Sequence, residues 1–184
     1  MELFLETSAT IFGILSVWYA RNNNVYVFPT GILSVLIFAY ITYENRIYAE
    51  TGINIYYFVM SIYGWILWGS NNQKIQKKIA YSTSHEIIFS LIITLFFFFS
   101  IYLALAQTDS DVVILDSITT SLSLTAMLLL ARRKLENWVY WIVANLIYVP
   151  LFFHKGLYIA SLQYLVFLVL AISGYLKWKK TLRH

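Results

Sequence analysis

Seven apolar stretches run through this chain, and nearly every basic residue falls in the alternate gaps between them. The stretches cover roughly Leu3–Ala20, Val25–Tyr43, Thr51–Gly69, Ile87–Ala106, Val112–Ala131, Trp138–Phe153 and Leu157–Trp178. A helix needs about 17–25 apolar residues to cross a hydrocarbon core, so each predicts a transmembrane helix, the sixth slightly short. One set of gaps holds Arg21, Lys74, Lys77, Lys78, Arg132, Arg133, Lys134, Lys177, Lys179, Lys180 and Arg183. The opposite set holds only Arg46 and Lys155. Basic loops stay on the cytoplasmic side, which predicts an outer amino terminus and an inner carboxyl terminus. The acids lean the other way, with Glu2, Glu6, Glu44, Glu50, Asp109 and Asp111 on the outer side.

The chain is 60% hydrophobic and only 12% charged, about half the charged fraction of ordinary soluble domains. That excludes a soluble fold. The net charge of +4 follows from membrane orientation, and no basic run resembles a nucleic-acid tract. Cysteine is absent, which removes disulfides and thiolate metal sites. The start, Met1-Glu2-Leu3-Phe4-Leu5-Glu6, lacks the basic region of a secretory signal. The first apolar segment is therefore expected to remain as a span. At 184 residues the chain is expected to be almost wholly embedded, with no room for a soluble catalytic domain. The run Phe96–Phe99 reads as lipid-facing or packing bulk.

A weak, gapless repeat appears at an offset of 110 residues. Ile32, Leu36, Ile37, Tyr48, Val59, Ile62, Gly64 and Trp68 recur as Ile142, Leu146, Ile147, Tyr158, Val169, Ile172, Gly174 and Trp178. The informative matches are the Tyr opening a span and the Gly-x-x-x-Trp near its end. The pairs Ala20-Arg21 and Ala131-Arg132 precede them, one residue out of register. The repeat unit is three spans, so a direct duplication would invert the second copy, and the fourth span restores parallel orientation. The expected fold is therefore an all-α polytopic membrane protein of two parallel three-helix repeats joined by a linker helix. This 3+1+3 logic is that of SWEET-type transporters, with a site at the repeat interface near mid-membrane. Expected boundaries are 1–69 for the first bundle, 70–106 for the inner loop and linker helix, and 107–184 for the second bundle with its basic tail.

Enzyme chemistry finds little support. The histidines, His85, His154 and His184, all lie in loops or at the end, and no H-E-x-x-H occurs. Apart from Glu6 in the first turn of the first span, Asp116 is the only carboxylate inside a span; with no partner visible in the sequence, it reads as solvated or helix-capping. Leu157–Leu176 of the seventh span has no lysine for a retinal. Polar residues at membrane depth are costly and tend to be functional. Here the deep ones are neutral: Asn54, Thr119, Thr120, Ser121, Asn145 and Gln163. Neutral amides and hydroxyls suit a neutral or delocalised-cation solute better than an inorganic ion. No cofactor is expected.

All six Trp lie in the cytoplasmic halves of their spans: Trp18, Trp65, Trp68, Trp138, Trp141 and Trp178. An interfacial belt explains Trp18 and Trp178. Trp138, Trp141 and Asn145 are spaced i, i+3, i+7 and so share one helix face. Seven residues rise about 10 Å, which carries Asn145 toward the bilayer centre. Two indoles leading to a buried amide form a candidate stacking site with a hydrogen-bonding group above it. Pro150 removes a backbone bond to the 146 carbonyl and predicts a kink.

Glu136-Asn137-Trp138-x-x-Trp141-x-x-x-Asn145 resembles the signature of PnuC-type vitamin transporters, the bacterial nicotinamide riboside carriers. Trp18 with Arg21-Asn22-Asn23, Pro29-Thr30-Gly31, Ser61-Ile62-Tyr63-Gly64-Trp65-x-x-Trp68, Asp116-Ser117-x-Thr119-Thr120, Ala131-Arg132 and Lys155-Gly156-Leu157 with Gln163-Tyr164 agree, so the likeness spans nearly the whole chain. The resemblance implies a homotrimer in the bacterial inner membrane, facilitated diffusion without ion coupling, and trapping of the vitamin by intracellular phosphorylation. It implies Trp138, Trp141 and Asn145 as solute-binding, Gln163 and Tyr164 beside them, and Tyr63 and Trp65 as gate or cage residues; Asn54 and Thr119, neutral and at membrane depth, are further polar candidates for solute binding. Arg21 and Arg132 would anchor the cytoplasmic face. Nicotinamide riboside carries a pyridinium, which aromatic faces attract by roughly 0.5–2 kcal/mol. Relatives that carry thiamine, also an aromatic cation, are the alternative. A non-transporting membrane assembly or sensor subunit is the reading from another class.

Overall fold

The computed structural model describes residues 2–70, 76–107 and 112–183, so Lys74, Asp109, Asp111 and His184 lie outside the described residues. Seven helices follow one another: α1 (Glu2–Arg21), α2 (Val27–Glu44), α3 (Tyr48–Gly69), α4 (Ser84–Leu105), α5 (Val113–Ala131), α6 (Asn137–His154) and α7 (Tyr158–Thr181). Each coincides with one expected span. Among the described residues five of them, α1, α2, α4, α5 and α7, are long and apolar enough to cross a membrane. The two that fall short, α3 and α6, are those richest in candidate site residues. Trp, Tyr and Asn lower their apolarity. Pro150 sits inside α6, which stays helical from Asn137 to His154.

The chain forms two compact units, Met1–Lys78 and Ile79–His184. In the first, α2 packs between α1 and α3. Ser34 Oγ donates to the Ala9 carbonyl at 2.8 Å and Ser16 Oγ to the Val27 carbonyl at 2.7 Å, which ties α2 to α1. In the second, α4 packs on α5, α5 on α6, and α6 on α7. Small hydroxyl residues line α5: Ser117, Thr119, Ser121, Ser123 and Thr125 are all buried. Each donates to a carbonyl three or four residues back, so these hydroxyls enter an apolar interior already satisfied. Thr94 of α4 meets Thr125 at 2.9 Å, and Ser90 meets the Tyr140 hydroxyl of α6 at 3.0 Å.

Four helix-to-helix turns close in the same way. After α1, α2, α5 and α6 a single residue takes a positive φ: Asn23 (54°), Arg46 (60°), Arg133 (56°) and Gly156 (74°). The N–H of that residue and of the next one reach back three and five residues, the double closure of a Schellman motif. After α1 these bonds are Asn23 to Ala20 (2.9 Å) and Asn24 to Tyr19 (3.0 Å). After α5 they are Arg133 to Leu130 (2.8 Å) and Lys134 to Leu129 (2.9 Å). Asn23 and Arg133 are 110 positions apart, and so are Arg46 and Gly156. Helices α2 and α6 start and stop at positions that differ by the same 110.

The segment before α4 is more than a polar connector. Ala80 pairs with Lys134 as a parallel bridge, its N–H donating to the Arg133 carbonyl at 3.1 Å and its carbonyl accepting from Leu135 at 3.0 Å. Glu136 Oε2 accepts from the Ser82 N–H (2.9 Å) and hydroxyl (2.7 Å). Lys134 Nζ donates to Glu86 at 2.7 Å, and Thr83 and Glu86 complete a capping box that starts α4 at Ser84. This strap fastens α4 to the turn from which α6 rises. Burial in that turn pushes the Arg133 guanidinium down to about 10, which leaves it charged at neutral pH.

Candidate solute-binding site

The α6 face that carries Trp138, Trp141 and Asn145 continues at the same helical spacing to Tyr148 and Phe152. Much of this stripe meets α7. At the amino-terminal end of α6 Trp138 is 1% exposed and stands edge-on to Trp178, with centroids 5.4 Å apart and an interplanar angle of 88°. Its six-membered ring rests on Gly174, where a Cβ would lie 2.7 Å from Cη2 and Cζ2. Trp178 is 0% exposed, which corrects its assignment to an interfacial belt. The missing Cβ at Gly174 lets the two indoles close over each other instead. Trp18 and Trp65, at 45% and 43% exposed, remain belt-like.

Asn145 is buried, and its amide makes no hydrogen bond to another described residue. Trp141 is half-buried between it and Trp138. Above Asn145 the stripe turns fully aromatic. Tyr164 of α7 stacks on Tyr148 (4.4 Å, 23°) and on Phe152 (5.0 Å, 16°), with Phe167 edge-on at 6.1 Å. Sequence reasoning missed Tyr148 and Phe152, although the i, i+3, i+7 series extended to i+10 and i+14 points to both. Gln163 is half-buried next to Tyr164. Thr119 is buried on α5, its hydroxyl donating to the Leu115 carbonyl at 2.8 Å.

The second unit thus holds Trp138, Trp141, Asn145, Gln163, Tyr164 and Thr119. Tyr63, Trp65 and Asn54 belong to the first. Tyr63 and Trp65 are exposed on α3, and Asn54 donates to the Glu50 carbonyl of its own helix at 2.9 Å. Asp116 neither caps α5 nor stands alone: Val112 is the N-cap residue, and Asp116 pairs with Lys155 in the α6–α7 turn at 3.7 Å.

Apolar helices long enough to span a bilayer, with an aromatic and amide seam inside and ion pairs at the helix ends, mark a multi-pass membrane protein. The chain belongs to the nicotinamide mononucleotide transporter family, whose profile matches residues 3–180. It is 25% identical to the nicotinamide riboside transporter PnuC of Escherichia coli (strain K12) over 207 residues, which cover 98% of this chain and 87% of that protein. The PnuC of Neisseria mucosa is also 25% identical, over 99% of this chain and 74% of its own length. The crystal structure of the vitamin B3 transporter PnuC has the same fold, with a TM-score of 0.74 at 24% identity over 96% of this chain and 81% of that one.

Proposed function

We propose that this protein imports nicotinamide riboside across the bacterial inner membrane by facilitated diffusion, with intracellular phosphorylation as the trap. The observation that carries this reading is the α6 stripe, in which aromatic rings flank a buried amide that makes no side-chain hydrogen bond among the described residues. Rings attract a pyridinium, and amides suit a carboxamide and ribose hydroxyls. A mononucleotide would add a phosphate, for which Lys or Arg is the usual partner. Neither occurs between Leu135 and His154 or between Gly156 and Leu176. The riboside is therefore the better solute.

On this reading Trp138, Trp141, Asn145, Gln163 and Tyr164 contact the solute, with Tyr148 and Phe152 extending the aromatic lining. Tyr63, Trp65 and Asn54 on α3 are further proposed site residues, and Thr119 supports from α5. The architecture is 3+1+3, two three-helix repeats joined by α4. Turns with the same conformation 110 residues apart support the repeat. The amino terminus lies outside, as the distribution of basic residues argues, and the homotrimer is part of the same proposal. The test is calorimetric titration of the purified protein with nicotinamide riboside and thiamine in parallel. Saturable binding of the riboside alone is expected. Binding of thiamine alone would reassign the solute, and silence from both would remove the transport reading.

A further inference from the structure

The repeat supplies a control within the chain. Trp138 meets Trp178 edge-on at 5.4 Å and 88°, and 110 residues earlier Phe28 meets Trp68 edge-on at 5.0 Å and 86°. Both ring pairs are buried, and in each helix a buried glycine precedes the second ring by one turn, Gly174 before Trp178 and Gly64 before Trp68. Joining the second helix of a unit to the third therefore needs an aromatic ring in that cradle but not an indole. Trp138 nevertheless carries an indole, and its Nε1–H is buried without a hydrogen-bond partner among the described residues. A buried donor left unpaired is destabilising, and more so away from water. Phe at 138 would avoid that penalty, as Phe28 does.

Resting on the transport reading above, we propose that the Trp138 Nε1–H is a hydrogen-bond donor to an oxygen of the solute, held in place by Gly174 and Trp178 as positioning residues. Trp138 then acts through its polar edge, and the stacking falls to the other rings of the stripe. The cradle sets where that edge sits. Gly174 lies under Cε2, the ring carbon bonded to the donor nitrogen, and a Cβ there would come within 2.8 Å of it. Trp178, one turn further along α7, blocks rotation of the ring from the side.

The test replaces the N–H without changing the shape. Benzothienylalanine at position 138 puts sulfur where the N–H was. It should leave thermal unfolding of the solute-free protein unchanged or slightly raised while weakening nicotinamide riboside about tenfold. Trp138→Phe, whose packing Phe28 already demonstrates, should weaken it equally. Gly174→Ala should lower affinity in the parent protein and add nothing in the Trp138→Phe background, because it acts only through the displaced indole. Undiminished affinity of the sulfur isostere would overturn the proposal, as would an equal Gly174→Ala loss in both backgrounds. If the parent protein binds no riboside, the transport reading itself fails, which the unsubstituted titration reveals separately.

Discussion

Tyr164 lies nearly flat on Tyr148, with ring centroids 4.4 Å apart, and joins the C-terminal half of α6 to the N-terminal half of α7 through two side chains. The same ring covers Phe152 at 5.0 Å. If these faces meet the solute, removing one should weaken it by the value of one aromatic contact, roughly 0.5–2 kcal/mol or up to about thirtyfold. Tyr164→Leu should raise the concentration for half-maximal uptake in proteoliposomes accordingly, and Tyr164→Phe should stay near the parent value. Equal behaviour of both variants would confine Tyr164 to packing.

Asp116 and Lys155, 3.7 Å apart, are both partly exposed, and pairs of that kind contribute about 0.2–1 kcal/mol. Asp116→Asn should therefore cost little stability and leave net uptake intact. Uptake should also be insensitive to a proton ionophore in both proteins. Loss of transport on collapsing the proton gradient would make Asp116 a coupling group and end the facilitated-diffusion reading.

The strap before α4 depends on one carboxylate, since Glu136 accepts two hydrogen bonds from Ser82. Bonds to a charged acceptor contribute about 1.5–3 kcal/mol each. Glu136→Ala should speed amide exchange at Ala80 and Ser82 by an order of magnitude or more. Exchange at Asn22–Asn24, in the other unit, should stay as before. Unchanged protection at Ser82 would mean that the Ala80 bridge holds the strap alone.

Two glycines should respond differently to the same substitution. Gly156 has φ +74°, and a methyl group added to it would meet nothing within 4 Å, so alanine there costs only backbone strain, about 1–2 kcal/mol. Gly174→Ala instead drives a methyl into an indole, with an overpacking cost of about 1–3 kcal/mol. Thermal unfolding should register both changes. Riboside affinity should fall only in Gly174→Ala.

The existence and order of the helices were legible in the sequence, because spans and caps are local. Even there α4 begins at Ser84 rather than Ile87, since Thr83 and Glu86 form a capping box inside what reads as loop. Long-range partners were not legible. Trp178 shares its position at a span end with Trp18, and only the crossing of Gly174 under Trp138 buries it. Lys155 sits 39 residues from Asp116, and no local pattern joins them. The candidate site residues on α6 were visible as a periodic face. Their division between stacking and hydrogen bonding depends on what α7 brings against that face.

The two units share their turns but not their side-chain chemistry. Where the second has Trp138, Trp141 and Asn145, the first has Phe28, Gly31 and Val35. A Cβ on Gly31 would stand 3.0 Å from Ser16 Oγ, so helix α1 closes directly over the place that an indole takes in the later copy. On the proposed assignment each chain carries one molecule of vitamin at a time. On the proposed repeat, doubling the backbone would have enlarged the scaffold and left the cargo single.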